Sequence, residues 1–435
     1  MAVRHSFFAI APRPVTPVCW FCVNETKDIR PGLTLAVLTG LNLFNYLDRQ
    51  VLPAVIPRIQ EELHLNDDVA GTVGTAFMLG YFITSPFFGY LGDRKPRKWL
   101  VASGVAVWSV GTVLTGFAGG LWSLLAFRVL VGFGEASYAT LSPGWIADLF
   151  ASARRNNALS IFYVALPVGA ALGQILGGQV EAVWGWRAAF YFAGAPGLLL
   201  AVAVLALREP ARGASEPGGA AAVAPPAPGF GSYLQLLRFP TYLLIIAGYV
   251  AQTFAMGGFA FWSAKFLYTV HGMQLAAADN FFGVSLVLTG LVATLAGGYA
   301  ATWWSRRHPA GYAWVLALSA LAAAPAAWAA FTLADLTLAK AALAAAMFFL
   351  FLSTGPVNTL TLEAVPVALR ASAMAASIFA IHALGDLWSP KLVGMLSVHF
   401  GGLQKAMLVL PIALAFSAAL WLWLAIRTQR QPRGV

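Results

Sequence analysis

The chain has 435 residues, of which 59% are hydrophobic and only 10% are charged. Soluble domains carry about a quarter charged residues, so this composition excludes a soluble enzyme and a nucleic-acid-binding protein. It predicts a chain that uses the lipid bilayer as solvent. A spanning helix needs about 20 apolar residues, so twelve helices would occupy roughly 240 to 260 residues. With only Cys19 and Cys22, no disulfide framework is expected.

Residues 1–31 are predicted to form a disordered cytoplasmic tail. Arg4 resembles the start of a signal peptide, but Pro12, Pro14 and Pro17 interrupt the apolar run that should follow. The Cys19–Cys22 pair has the spacing of a redox motif without the βαβ pattern that normally surrounds one. We interpret these cysteines as incidental thiols of the tail.

Twelve apolar segments follow Pro31 and predict transmembrane helices. Those of the first half are 32–57, 69–91, 99–119, 121–147, 157–180 and 188–207. Those of the second half are 241–264, 278–303, 311–332, 338–362, 371–397 and 404–426.

The segments predict two six-helix bundles separated by a linker. The bundles comprise residues 32–207 and 241–427, and a cytoplasmic tail occupies 428–435. Between the bundles, residues 208–240 are rich in Ala, Pro and Gly, a composition typical of a flexible linker.

The basic residues predict the orientation of the chain. With both termini in the cytoplasm, 19 Lys and Arg side chains lie on the cytoplasmic side and 5 on the other side, as the positive-inside rule requires. We expect a multi-pass monomer surrounded by membrane lipids, in the plasma membrane or a bacterial inner membrane, with no nucleic-acid partner.

The two halves of the chain repeat a sequence pattern. Gly89–Lys98 follows the second predicted helix, and Gly298–Arg307 follows the eighth at an offset of 209 residues. Asp148–Arg155, after the fourth predicted helix, likewise has a counterpart in Glu363–Arg370 after the tenth. Parallel repeats of this kind are typical of secondary transporters that rock around a central site.

These residues resemble a known family of transporters. Gly89–Lys98 is similar to the loop signature of the major facilitator superfamily, and Arg128, followed by Gly132 and Gly134, resembles the arginine motif of its fourth helix. The resemblance implies an all-α membrane protein with twelve transmembrane helices in two pseudo-symmetric six-helix bundles.

Three shorter motifs resemble the Spinster family within this superfamily. They are Asn45–Arg49, Gly134–Ala136, and His382–Asp386 with Ser389-Pro390. The resemblance implies a carrier of lysophospholipid or sphingosine 1-phosphate that is coupled to protons.

Six charged residues are assigned to the predicted spans, where each costs about 2.5 to 3.5 kcal/mol unless it is paired or hydrated. They are Asp48, Arg49, Arg128, Glu135, Asp386 and Lys391. At about 1.5 Å per residue, Asp48 and Arg128 both lie roughly 10 to 14 Å below the outer boundary. They are therefore expected to form either a structural ion pair or a proton switch that releases Arg128 to an anionic headgroup. The resemblance favours the switch.

The other membrane charges leave several roles open. Glu135 lies two turns from Arg128, where it can share the charge of Arg128 or titrate separately. Arg49 points about 100° away from Asp48 and lines the cavity or contacts another helix. His382 and Asp386 share a helix face, which suits a proton relay, although a lone membrane histidine is often only a hydrogen-bond donor. Lys391 is expected to extend to the membrane surface.

The loop after the second helix is a candidate cytoplasmic gate. A carboxylate at Asp93 can hold a neighbouring helix end in one state, although Arg94, Arg97 and Lys98 also fit the positive-inside rule alone. The superfamily resemblance favours the gating role. Gly89, the first residue of the loop signature, is part of the candidate gate. Thr302 occupies the position equivalent to Asp93 in the second half, so a second gate is doubtful.

An amphiphilic substrate needs a charged spot within apolar walls. Arg128 and Arg49 are the candidate headgroup ligands. The candidate residues for the apolar wall are Tyr46, Tyr138, Tyr163 and Trp388. The alternative is that these aromatic side chains only pack between helices. Close approach of helices is predicted from the small residues Gly169, Gly173 and Gly177.

The pattern predicts a proton-coupled secondary transporter of an anionic amphiphile. The alternatives are a transporter of small organic anions or drugs, and a non-transporting membrane receptor or lipid-binding protein. No nucleophile elbow, nucleotide-binding loop or metal-ligand motif is visible. We therefore expect no enzymatic activity, no metal and no cofactor, with protons as the coupling ion.

Overall fold

The computed structural model describes residues 29–92, 94–212, 214–215, 230–366 and 369–430. These residues form helices and no strand. In the first half they are α1 (Pro31–Leu63), α2 (Asp67–Gly92), α3 (Arg97–Thr115), α4 (Leu121–Leu149), α5 (Ser152–Trp184) and α6 (Trp186–Ala206). Those that follow are α7 (Phe230–Leu236), α8 (Pro240–Thr269), α9 (Leu275–Ser305), α10 (Gly311–Thr332), α11 (Leu336–Leu352), α12 (Thr354–Glu363), α13 (Arg370–Ile381), α14 (Ser389–Phe400), α15 (Leu403–Met407) and α16 (Val409–Arg430).

The helices account for the twelve predicted spans. Within the described ranges, nine stretches are long and apolar enough to cross a membrane, and one of these joins α11 to α12. The other three predicted spans correspond to α1, to α2 and to the pair α13–α14, which a π-helical turn at His382–Asp386 interrupts. The predicted all-α fold is confirmed.

Glycines bring α5 close to α1, as the sequence predicts. A Cβ on Gly173 would lie 2.1 Å from the carbonyl oxygen of Leu47, and one on Gly169 would lie 2.3 Å from that of Leu43. Without side chains at these positions, the two backbones pack directly together. This contact fixes the part of α1 that carries Asp48.

The two halves meet mainly through three helix pairs: α1 with α8, α2 with α14, and α5 with α9. We call the membrane face at which α2 ends and α3 begins the linker side, and the opposite face the far side. Hydrogen bonds between the halves include Thr75 Oγ1 to the Leu387 carbonyl, 2.8 Å, and Arg58 Nη1 to the Tyr268 hydroxyl, 3.4 Å. One buried core cluster also crosses between the halves there, with Val51 and Trp262 among its members.

Contacts between the halves extend from the far side to near mid-membrane. There the Phe82 ring on α2 lies 5.8 Å from the Phe379 ring on α13, measured between centroids. The ion pairs that join the halves, Lys265–Asp67 and Lys391–Asp68, lie at the far side. The molecule is therefore closed on the far side.

The segment predicted as a flexible linker has structure at both described ends. After α6, Arg212 donates to the carbonyls of Gly92 and Lys95, at 2.5 and 2.9 Å, and Ser215 donates to the carbonyl of Ala147 at 2.7 Å. Backbone acceptors at the ends of α2 and α4 thus hold the first linker residues against the first half. Near the other end, Phe230–Leu236 forms the short helix α7.

Candidate functional site

Asp48 is fully buried in the first half, where Thr112 on α3 donates its hydroxyl to Oδ2 of the carboxylate. Oδ1 has no hydrogen-bond partner within the described part of the chain. A buried carboxylate is costly unless it is protonated or offset by a nearby positive charge. Asp48 is thus held by a single neutral donor.

Arg128 on α4 is 2% exposed, and it forms no ion pair with Asp48 or with any other described residue. Its Nε and Nη1 groups have no hydrogen-bond partner among these residues. Its guanidinium carbon lies 5.3 Å from the centroid of the Phe77 ring. Asp48 and Arg128, which the sequence predicts at the same depth, therefore do not bond directly. Each keeps polar atoms without a hydrogen-bond partner among the described residues.

Glu135 pairs with Arg49 rather than with Arg128. Arg49 Nε donates to Glu135 Oε2 at 2.7 Å, and the carboxylate is fully buried. Three aromatic rings surround the Arg49 guanidinium, with centroids at 4.9 Å (Tyr46), 5.0 Å (Phe77) and 5.3 Å (Tyr81). Among the roles left open for Arg49, the structure shows contact with a neighbouring helix.

Close packing of α2 on α4 places Phe77 between the two arginines. A Cβ on Gly132 would lie 2.1 Å from the carbonyl oxygen of Phe77, and one on Gly80 would lie 2.4 Å from that of Val129. Because both glycines lack a side chain, the Phe77 ring lies within cation–π range of Arg49 and Arg128.

In the second half, His382 and Asp386 are in contact as their spacing predicts. His382 Nδ1 lies 2.9 Å from Asp386 Oδ2, and the two residues bound the π-helical turn between α13 and α14. The His382 ring also lies 6.4 Å from that of Phe82 on α2. The pair therefore lies where the two halves meet near mid-membrane, and its relay role stays a prediction.

Comparison with known proteins identifies the family of the chain. A family model described as Major Facilitator Superfamily matches residues 38–390. Protein spinster homolog 1 of Homo sapiens is 35% identical over 393 residues, which cover 85% of this chain and 73% of the human protein. The chain belongs to the Spinster family of the major facilitator superfamily.

Two solved structures of Spinster relatives have the same fold. Both are described as a bacterial homolog of the human lysosomal transporter Spinster, and both are 25% identical to this chain. The inward-facing, unoccupied conformation has a TM-score of 0.83 and covers 92% of this chain and 99% of that one. The inward-facing, occupied conformation has a TM-score of 0.80, with 92% and 98% covered. Spinster proteins are transporters and not enzymes.

Within this Spinster-family chain, Arg97 makes contacts inside the first half. It is 6% exposed and pairs with Asp148 at the end of α4, and its Nε lies 3.1 Å from Glu209 Oε1 after α6. The Lys98 backbone N–H donates to the other oxygen of Glu209 at 3.2 Å. These bonds join three helix ends of one half, and they provide a structural role for two predicted gate residues.

The remaining gate residues lie at the linker side without a described contact to the second half. The Arg94 guanidinium stacks on the Tyr90 ring at 3.6 Å, and the nearest atom to a Cβ on Gly89 would be a methyl carbon of Thr140 at 3.9 Å. Asp93 lies outside the described residues. The gating role of this loop stays a prediction.

Tyr138 differs from the sequence expectation of a cavity wall. It is 1% exposed, its hydroxyl donates to the Leu38 carbonyl at 2.7 Å, and its ring lies 5.9 Å from that of Trp108. The hydroxyl is satisfied by the α1 backbone, so Tyr138 joins α4 to α1 inside the first half.

The other aromatic candidates are more accessible. Tyr163 is 48% exposed, and Trp388 is half exposed with its Nε1–H donated to the Ala383 carbonyl at 2.9 Å. Tyr46 is partly buried beneath Arg49. These three keep surface that a substrate can contact, and their binding role stays a prediction.

Sequence reasoning missed several members of the site. Thr112, Phe77 and Tyr81 are uncharged and lie on other helices, so no spacing rule connects them to Asp48 or Arg49. Asp279 is a further charged residue that the count of six omitted, although it lies inside the predicted span 278–303. It is fully buried.

An ionic network closes the far side and was also not predicted. Lys265 at the end of α8 pairs with Asp67 at the start of α2 and donates to Gln60 Oε1 at 2.5 Å. Lys391, expected to extend to the surface, pairs instead with Asp68 across the two halves at 2.6 Å.

Asp67 lies outside the predicted span 69–91, at the far-side end of α2. Burial raises the pKa of its carboxyl, but the charge of Lys265 and the hydrogen bonds from Lys265, Ser397 and Gln60 outweigh burial and hold the pKa below its ordinary value. Asp67 therefore carries its charge when the far side is closed.

Proposed function

We propose that this Spinster-family chain is a proton-coupled secondary transporter that moves an anionic amphiphile by alternating access. The observation that carries the proposal is the Arg128 guanidinium, which is buried and has two N–H groups without a described partner. Hydrogen bonds to charged groups are strong, and arginine suits phosphate and carboxylate groups. An anionic headgroup would satisfy these donors.

Asp48 supplies the proposed coupling to protons. As a carboxylate it offsets the buried positive charge of Arg128, and when protonated it no longer competes with an anionic ligand for that charge. Thr112 provides its one hydrogen bond among the described residues, so either charge state keeps a partner. Proton binding at Asp48 and headgroup binding at Arg128 would therefore favour each other.

Exposed apolar side chains on both halves support an amphiphile. Tyr163 on α5 and Phe379 on α13 are 48% and 63% exposed, and Phe379 packs against Phe82 of the first half. An acyl chain would find apolar surface toward the linker side, while the headgroup binds deeper at Arg128.

The basic residues support a cytoplasmic linker side. We propose that both termini are cytoplasmic, in the plasma or bacterial inner membrane, and that the conformation described here is the inward-facing one. Ion pairs that join the halves at the far side support this assignment, as does the TM-score of 0.83 with an inward-facing relative.

A headgroup and chain comparison tests the proposed substrate class. Uptake into proteoliposomes is measured for lysophosphatidic acid, for a monoacylglycerol with the same chain, and for glycerol 3-phosphate, with wild type and Arg128→Ala. We expect Arg128-dependent uptake of the lysolipid alone. Arg187→Ala, at an arginine that is partly exposed on the far side, is the matched control and should retain transport. Equal uptake of glycerol 3-phosphate would instead establish a small-anion carrier, and binding without uptake would establish a receptor.

A further inference from the structure

Another buried carboxylate, Asp279, lies where the halves meet, away from Asp48 and Glu135. Gln174 on α5 donates its Nε2–H to Oδ1 of Asp279 on α9 at 2.7 Å, and both residues are fully buried. The remaining polar atoms of this contact, Asp279 Oδ2 and Gln174 Oε1, have no partner in the described part of the chain. One hydrogen bond thus joins the two halves and leaves two acceptors unsatisfied.

Glycine packing excludes water from this contact. A Cβ on Gly178 would lie 2.4 Å from Asp279 Oδ2, and one on Gly283 would lie 2.9 Å from the Ala171 carbonyl oxygen. The backbones of α5 and α9 therefore approach closely on either side of the carboxyl group. An unpaired charge in such a place is costly, and so is an unsatisfied acceptor.

No described cation lies within ion-pair distance of Asp279. On α5, Glu181 adds a like charge, and Glu181 is itself bound to Arg58 of α1 at 2.9 Å.

The lysines on the helices packed against α9 are engaged elsewhere. Lys265 of α8 is bound to Asp67, and Lys340 of α11 lies over the Phe281 ring at 4.7 Å. Among the other helices packed on α9, α10 carries no charged residue, and α12 has only Glu363, at its linker-side end.

We propose that Asp279 is a second proton-binding site, protonated while the far side is closed and deprotonated when α5 and α9 separate. A proton on Oδ2 converts that acceptor into a donor for Gln174 Oε1, so one proton satisfies both unpartnered atoms. The amide and the carboxylic acid then form a two-bond clasp between the halves. The inference rests on the proposed alternating access, which separates this interface.

Spin-label distances on the far side test the clasp without a transported substrate. Labels at the exposed positions Val183 and Leu338, in a chain lacking Cys19 and Cys22, report the separation of the halves there. In wild type we expect a single short distance at acid pH and a growing long component as pH rises. Asp279→Asn keeps both hydrogen bonds at every pH, so its distance should stay short.

Two further variants keep the test decisive. Gln174→Leu should show the long component even at acid pH, because the clasp cannot form. Gln252→Leu removes a buried amide that donates to the Leu350 carbonyl within the second half, and it should behave as wild type. Difference infrared spectra should show a protonated-carboxyl band that is lost in Asp279→Asn.

The proposal is overturned if Asp279→Asn shows the same pH dependence as wild type, or if every protonated-carboxyl band of the wild type survives that substitution. A wild-type distance that does not respond to pH also overturns it. These outcomes are distinguishable from failure of the proposed transport function, because neither spectroscopic measurement requires substrate uptake.

Discussion

Arg49 Nε lies 2.7 Å from Glu135 Oε2, so α4 carries a carboxylate that is ion-paired, Glu135, and an arginine, Arg128, that has no ion pair among the described residues. Glu135 lies two helical turns from Arg128, close enough in sequence to be its partner. Because Arg49 occupies Glu135, Arg128 remains available to a ligand. The pair between α1 and α4 is therefore a condition for the proposed headgroup site.

Breaking the Arg49–Glu135 pair should destabilise the protein strongly. Glu135→Leu leaves a mostly buried arginine without its partner, which costs on the order of 3 to 5 kcal/mol. The double variant Arg49→Met/Glu135→Leu removes both charges and should recover most of this loss. Thermal unfolding in detergent measures the difference.

The control for these single and double variants is an ion pair on the protein surface. Arg187 and Glu62 lie 2.6 Å apart with side chains 36% and 46% exposed, so Arg187→Gln should change stability by at most about 1 kcal/mol. If the double variant were as unstable as Glu135→Leu alone, the stabilising role of the pair would be wrong.

Thr112→Val should change the pH dependence of uptake while preserving side-chain shape. The substitution removes the one described hydrogen bond to Asp48, a bond that favours the carboxylate. The midpoint of uptake should move to higher pH by about 1 to 2 units, since a hydrogen bond to a charged group contributes about 1.5 to 3 kcal/mol and one unit corresponds to about 1.36 kcal/mol. An unchanged midpoint would mean that Thr112 does not affect the coupling site.

Gly173→Ala should disrupt the packing of α5 on α1. The added Cβ would lie 2.1 Å from the Leu47 carbonyl oxygen, next to Asp48, and overpacking of this kind costs about 1 to 3 kcal/mol. Gly298→Ala is the matched control, because no atom lies within 4 Å of its Cβ position. Thermal unfolding should show a loss for the first and none for the second. Equal effects would indicate helix propensity rather than packing.

The Asp67–Lys265 contact should make the far-side closure sensitive to acid. The pKa of Asp67 is lowered in the folded protein, so its contribution to stability is fully present above the ordinary aspartate value of about 4. That contribution is lost as pH falls through the lowered pKa. The stability difference between wild type and Asp67→Asn should therefore be constant from about pH 6 to 8 and shrink on acidification.

Asp68→Asn is the comparison for Asp67. Asp68 pairs with Lys391, but both side chains are about a third exposed. Asp68→Asn should therefore lower the stability less than Asp67→Asn does. A difference between wild type and Asp67→Asn that does not change down to about pH 3 would contradict the assignment.

The fold follows from sequence because apolar length and repeat spacing are local properties of the chain. The same approach placed Asp48 and Arg128 at one depth, and the four-residue spacing of His382 and Asp386 predicted a contact that the structure confirms. The π-helical turn at that pair was not predicted, since it departs from regular helical periodicity.

Partners across helices were less accessible to sequence reasoning. Thr112 bonds to Asp48 over 64 positions of the chain, and Lys265 pairs with Asp67 over 198. Such contacts depend on how the helices cross, which single-helix spacing does not encode. For the same reason Tyr138 was predicted to line the cavity, although its hydroxyl bonds to the α1 backbone.

The most direct test of proton coupling at Asp48 is uptake of lysophosphatidic acid into proteoliposomes with and without an imposed pH gradient. For wild type we predict uptake that the gradient accelerates. For Asp48→Asn we predict exchange of substrate without any response to the gradient, because the amide cannot bind or release a proton. Gradient-driven uptake by Asp48→Asn equal to that of wild type would contradict the account.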